Sequence, residues 1–156
     1  MNDNHENLML KEAGLATEVG FVISRAKTQV LKQVDHVLEG FGFTKHHYAV
    51  LALACSVEAP SQREIATYMR LDPSRLVRIL DELEGQELVR RERSAHDRRT
   101  WIIQATDSGH QRRTEASMAL QQLNDNLLRH LGETQRQLLI GALLHLAEIE
   151  VQVEQR

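Results

Sequence analysis

Apolar positions recur at three- and four-residue steps through most of the chain, which predicts a mainly helical protein. Between Leu15 and Leu38 the residues Leu15, Val19, Val22, Ala26, Val30 and Val37 mark one long amphipathic helix, ended by Gly40 and Gly42. Thr44 can cap a second helix carrying Tyr48, Leu51, Leu53, Ala54 and Val57, which closes before Pro60 and reads as mostly buried. The order Ser61-Gln62-Arg63-Glu64 has the form of a capping box and predicts a short helix running to Met69. Asp72-Pro73 then sets a capping carboxylate before a proline at the first helical position. It opens a fourth helix with Leu76, Ile79, Leu80 and Leu83 on one face. Two helices so closely spaced predict a helix-turn-helix.

The period changes after Leu88. Leu88 to Arg93 and Thr100 to Ala105 are short runs with Val, Trp and Ile, predicting a β-hairpin whose loop is Ser94-Ala95-His96-Asp97-Arg98-Arg99. Thr106-Asp107 can cap a long fifth helix with Ala116, Leu120, Leu123, Leu127 and Leu131 at heptad-like spacing, broken at Gly132. Thr134-Gln135-Arg136-Gln137 resembles a second capping box, opening a sixth helix with the stripe Leu139, Ala142, Leu146, Ile149 and Val153. A further stripe, Ile140, Leu143, Leu144, Ala147 and Val151, leaves that helix apolar nearly all round, and the chain has too few other helices to wrap it. The expected solution is a homodimer through the terminal helices. Residues 1–43 and 107–156 are thus expected to be dimerisation helices around a helix-turn-helix and hairpin domain at 44–106.

Charge sharpens this picture. The 156 residues are 42% hydrophobic and carry a net charge of −3, which taken as a sum argues against a nucleic-acid partner. Residues 88–113, however, hold seven arginines against three acids, a local +4, and all of their basic residues are arginine. Arginine suits bidentate phosphate contact and narrow grooves. On the fourth helix Ser74, Arg75, Arg78 and Glu82 lie away from the apolar face, so Arg75 and Arg78 could both enter a major groove. A lone cysteine and the absence of a signal-like or membrane-spanning run point to a cytoplasmic protein with no membrane partner. Neither a glycine-rich phosphate loop nor a nucleophile elbow is present, so no catalysis and no cofactor is expected.

Several motifs converge on one family. The run Asp72 to Glu84, then Leu88-Val89-Arg90-Arg91, Asp97-Arg98-Arg99 and Thr106-Asp107-Ser108-Gly109, resembles the recognition helix, wing and post-wing cap of MarR-family transcriptional regulators. The resemblance implies a mainly α winged helix-turn-helix with terminal dimerisation helices, acting on double-stranded DNA as a homodimeric repressor at a pseudo-palindromic operator. It implies a minor-groove role for Arg99, oriented by Asp97. With Arg98, Ser61, Gln62, Ser74, Arg75 and Arg78 these are the expected DNA-binding residues. Glu87 departs from the pattern, standing where members commonly have glycine; a left-handed conformation there would cost about 1 kcal/mol.

The resemblance also implies a small-molecule effector, often an aromatic acid. Arg25 could meet its carboxylate, and His46, His47 and Tyr48 could line the site. Two other sensing modes compete. His46, His47 and His110 would have to converge to hold a metal, although adjacent histidines on a helix diverge, and Cys55 would have to be reactive to report oxidation. A helical dimer serving as a protein-interaction adaptor is the alternative that does without DNA.

Overall fold

The computed structural model describes residues 3–94 and 97–149. The elements are α1 (Asp3–Glu12), a 3-10 turn (Leu15–Thr17), α2 (Val19–Glu39), α3 (Lys45–Ala54), α4 (Gln62–Met69), α5 (Pro73–Gly85), β1 (Val89–Arg93), β2 (Trp101–Ala105), α6 (Asp107–Leu127) and α7 (Glu133–Leu146). The strands pair antiparallel with Val89 opposite Ala105 and Arg93 opposite Trp101. The chain forms two compact units, Met1–Leu120 and Gln121–Arg156.

In the first unit the core joins the end of α2 (Leu38) to α3 (Val50, Leu51, Ala54), α4 (Ile65), α5 (Leu76, Ile79, Leu80, Leu83) and both strands (Val89, Ile103, Ala105). The expected caps form here. Thr44 Oγ1 accepts the His47 amide, Ser61 Oγ accepts that of Glu64, and Asp72 takes the amides of Ser74 and Arg75. The turn between α4 and α5 is closed by Arg70 in the left-handed region (φ 49°). One contact was not foreseen: Ile103 N–H donates to Pro60 O at 2.9 Å and Ser61 bridges Ile102, so the start of α4 is fastened to β2.

Several boundaries differ from expectation. The long first helix begins at Val19 rather than Leu15, because Gly14 is left-handed (φ 75°) and Glu18 extended, and a separate helix, α1, precedes it. Only two exposed large apolar side chains, Leu8 and Met9, mark α1, too few for its period to stand out. α3 ends at Ala54, leaving Val57 fully solvent-exposed rather than buried. In the second unit α6 stops at Leu127 and Leu131 lies in the turn that follows. The cap of α7 is Gly132, not Thr134: Gln135 Oε1 accepts the Gly132 amide at 2.9 Å, which places Thr134 inside the helix. Arg136 ties the turn down, donating to Leu131 O at 3.1 Å and pairing with Asp125 at 3.3 Å. Val151 and Val153 lie outside the described residues.

The exit from α5 runs through Glu87, which is left-handed at φ 58°. The strained residue is held from below. Thr106 Oγ1 donates to Glu87 O at 2.6 Å, Thr106 N–H donates to Leu88 O at 3.1 Å, and Thr106 Oγ1 accepts the Gly109 amide at 3.0 Å. A Cβ on Gly109 would stand 2.0 Å from Leu88 O, so only glycine admits this approach. Replacing Glu87 by glycine should relieve the strain and raise stability by about 1 kcal/mol, against a smaller entropic loss. Urea unfolding of E87G checks this; a midpoint below that of the parent would refute the strain.

Candidate nucleic-acid interface

Four buried leucine and isoleucine side chains fix the roll of α5 and turn Ser74, Arg75 and Arg78 to solvent. The first turn is tightly organised: Ser74 Oγ also donates to Asp72, and this bond together with the Ser74 and Arg75 amides holds the Asp72 carboxyl below the usual range. Gln62 and Arg63 of α4, Pro73 and Leu76 of α5, and Arg99 and Trp101 of the wing line one cleft of about 420 Å³. Arg99 and the N-terminus of α5 therefore face common space. Ser61 lines the same cleft as Gln62, but its hydroxyl is already engaged. Its hydroxyl donates to Glu64 and accepts the Glu64 amide, so it serves as the cap that positions α4.

The wing tip is built on Asp97. Its carboxylate accepts the Arg99 backbone N–H at 2.9 Å and the Thr100 hydroxyl at 2.8 Å, bonds that push its pKa down. Asp97 thus orients Arg99 through the main chain, not by pairing with its guanidinium. His96 lies outside the described residues. Arg98 and Arg99 are exposed, whereas the other wing arginines have local partners. Arg90 pairs with Glu92 at 2.6 Å, Arg93 stacks 3.8 Å from the Trp101 ring centre, and Arg91 bridges to Asp81 and Glu84 of α5.

The residues expected around an effector separate. Arg25 lies on α2, in a groove of about 540 Å³ with Leu10 and Lys11 of α1 and Phe21 and Val22 of α2. His46 and His47 instead meet α5: His46 Nδ1 is 3.5 Å from Arg75 Nη2, and His47 Nε2 is 2.7 Å from Glu82 Oε2. Burial first, and then the Arg75 guanidinium, hold His46 below its ordinary pKa. Tyr48 packs half-buried against the core. Among the described residues no three His, Cys, Asp or Glu side chains gather as a metal site would require. Burial pushes the Cys55 thiol up, the opposite of an activated thiolate.

Residues 41–100 match the model of the MarR family. A MarR-family transcriptional regulator from Rhodococcus sp. RHA1 is 33% identical over 85% of this chain and 94% of its own, with a TM-score of 0.76. The chain belongs to the MarR family. Other similar proteins are CouR of Rhodococcus jostii RHA1 bound to p-coumaroyl-CoA (33% identical, 90% of this chain and 98% of that one, TM-score 0.77) and the putative transcriptional regulatory protein for the hcr operon of Thauera aromatica (26% identical, 92% of this chain and 87% of that one). CouR is also known as a transcriptional repressor bound to a 23-mer DNA duplex, 30% identical with a TM-score of 0.77. The family is one of transcriptional regulators, not enzymes, and no described helix of this MarR-family protein is long and apolar enough to cross a membrane.

Arg63 and Trp101 line the cleft beside the residues expected from the sequence. Arg63 sits inside a capping box, where a charged residue reads as helix filler, and only the folded cleft sets it beside Arg99. Trp101 could have been suspected from Arg93, its antiparallel partner. Asp97, Asp72 and Glu64 all have lowered pKa values set by local hydrogen bonds. A depressed carboxyl contributes stability above its unfolded pKa, and that contribution fades as pH falls through the folded value. The Asp97 carboxyl should therefore titrate below about 3.9, the reference for aspartate, when followed by carbon NMR. An ordinary or raised midpoint would mean the wing-tip turn does not hold in solution.

Proposed function

We propose that this MarR-family regulator is a ligand-responsive homodimeric repressor. Its paired α5 helices enter successive major grooves of a pseudo-palindromic operator, and its wings reach the flanking minor grooves. The observation that carries this reading is the common cleft of α5, α4 and Arg99, with Arg75 and Arg78 exposed on the same helix. Arg75, Arg78, Ser74 and Gln62 serve the major groove. Arg98 and Arg99 serve the minor groove, where narrow width concentrates negative potential. Asp97 and Ser61 hold their neighbours in place. The DNA-bound form of CouR supports the assignment by likeness.

Residues 1–43 and 107–156 form the dimer arms in this reading. Val19, Val22, Ile23 and Val30 of α2 and Leu138, Leu139, Ile140, Leu143 and Leu146 of α7 are all exposed in the single chain. Exposed apolar surface of that extent supports the dimer. The effector is an aromatic acid or its coenzyme A thioester, the latter favoured by p-coumaroyl-CoA on CouR. The α1–α2 groove, where Leu10, Phe21 and Val22 line up with Lys11, Arg25 and Gln29, suits such an anion. The compartment is the cytoplasm, where operators are.

Binding to a duplex selected by the protein from a random pool tests the contacts. Arg99→Ala should weaken binding to all sequences and lower the salt slope by about one unit, whereas Arg78→Ala should cost about 1–3 kcal/mol, more on the selected duplex than on random DNA. Unchanged affinity and slope for R99A would reject the wing assignment; equal loss on both duplexes for R78A would make Arg78 a phosphate contact. Sedimentation with labelled duplex tests the rest. The protein should run as a dimer, carry the duplex with it, and release it on addition of p-coumaroyl-CoA without dissociating. A monomer at micromolar concentration would eliminate the arms' assigned role, and retention of DNA would eliminate that thioester as effector.

A further inference from the structure

We propose that His47 is a positioning residue for DNA reading, holding Glu82 and through it setting the direction of Arg78. This rests on the assignment of α5 to the major groove. His47 is one of two buried polar residues among those described, only 8% exposed, and both its ring nitrogens are engaged. Nδ1 receives the Thr44 backbone N–H at 3.3 Å and lies 2.7 Å from Thr44 Oγ1. It must therefore be an acceptor, which puts the ring proton on Nε2. That N–H donates to Glu82 Oε2 at 2.7 Å. The other carboxylate oxygen, Oε1, lies 3.6 Å from Nε of Arg78, one turn earlier on α5.

A continuous chain thus runs from the cap of α3, through a rigid ring, to a guanidinium that is 77% exposed. Its effect is twofold. Glu82 is a carboxylate on the helix assigned to the groove, and left loose it would repel phosphates or fold over the terminal nitrogens of Arg78. Held by His47, it meets Arg78 at Nε alone, and no described residue engages the two terminal nitrogens, the pair suited to a guanine edge. The neighbouring His46, beside Arg75, gives the second reading arginine a backstop from the same helix.

The test separates the link from the cap. His47→Glu keeps a capping residue at N3 but sets two carboxylates against each other. With a duplex selected in vitro by the parent protein, H47E should lower the ratio of selected to random binding about tenfold, the order expected for losing a hydrogen bond to a charged group. Adding Glu82→Gln, whose amide can donate to the carboxylate introduced by H47E, should restore most of the ratio. In a Glu82→Ala background the H47E change should have no further effect. An equal loss in that background, or no recovery in the double variant, would overturn the proposal and make His47 merely structural. Urea midpoints accompany each variant; should H47E not fold, E82A alone decides, since undiminished discrimination by E82A overturns the proposal. A parent protein that selects no sequence at all refutes instead the assignment of α5 to the groove.

Discussion

Everything at the interface depends on the burial of one stripe, Leu76, Ile79, Leu80 and Leu83. Their steps of three, one and three residues leave α5 a single rotational setting against α3, α4 and the hairpin. Each fully buried side chain of this kind contributes about 1.5–3 kcal/mol, so a rolled helix would forfeit most of the domain's stability. The exposed arginines are where they are because the opposite face cannot be anywhere else. Capping at Asp72 fixes the remaining freedom, the point along the chain where the helix begins.

The wing is placed by a second set of constraints, polar rather than apolar. Arg91 spans from β1 to Asp81 and Glu84, so the hairpin is pinned to the helix it extends, and the Pro60–Ile103 bond pins it to α4. The left-handed Glu87 and the glycine required at 109 belong to the same junction, where α5, β1 and α6 meet within hydrogen-bond distance. Helix, wing and α4 are thereby joined as one rigid body rather than three pieces.

How much of this could be read from residues alone follows from range. Local rules located α3 to α6, the hairpin and four of the caps, because a cap, a proline at N1 or a change of period acts within a few residues. They also put Arg75 and Arg78 on the exposed face of α5. Elements failed where the signal was faint or ambiguous: α1 has little apolar period, and Gly132 reads equally as a breaker or a cap. His46 and His47, as neighbours on a helix start, carry no mark in the sequence of what they touch. Their partners, Arg75 and Glu82, lie 29 and 35 residues away and are brought near only by packing of α3 on α5. Asp97 shows a subtler gap, since its pairing with Arg99 was anticipated but not that the main chain would receive the bond.

The local pairing of the wing arginines bears on ionic strength. Seven arginines in residues 88–113 suggest a large electrostatic footprint, but Arg90, Arg91 and Arg112 already face acidic partners and Arg93 is stacked on Trp101. Counterions are released only by phosphates that a free cation neutralises, with a slope of about −0.9 per contact. Under the proposed DNA contacts, the wing's tally comes from the exposed Arg98 and Arg99, not from its composition. Counted with Arg75 and Arg78 on each of two protomers, the proposed contacts still make affinity fall steeply with salt, but less steeply than all seven arginines of residues 88–113 acting on phosphates would.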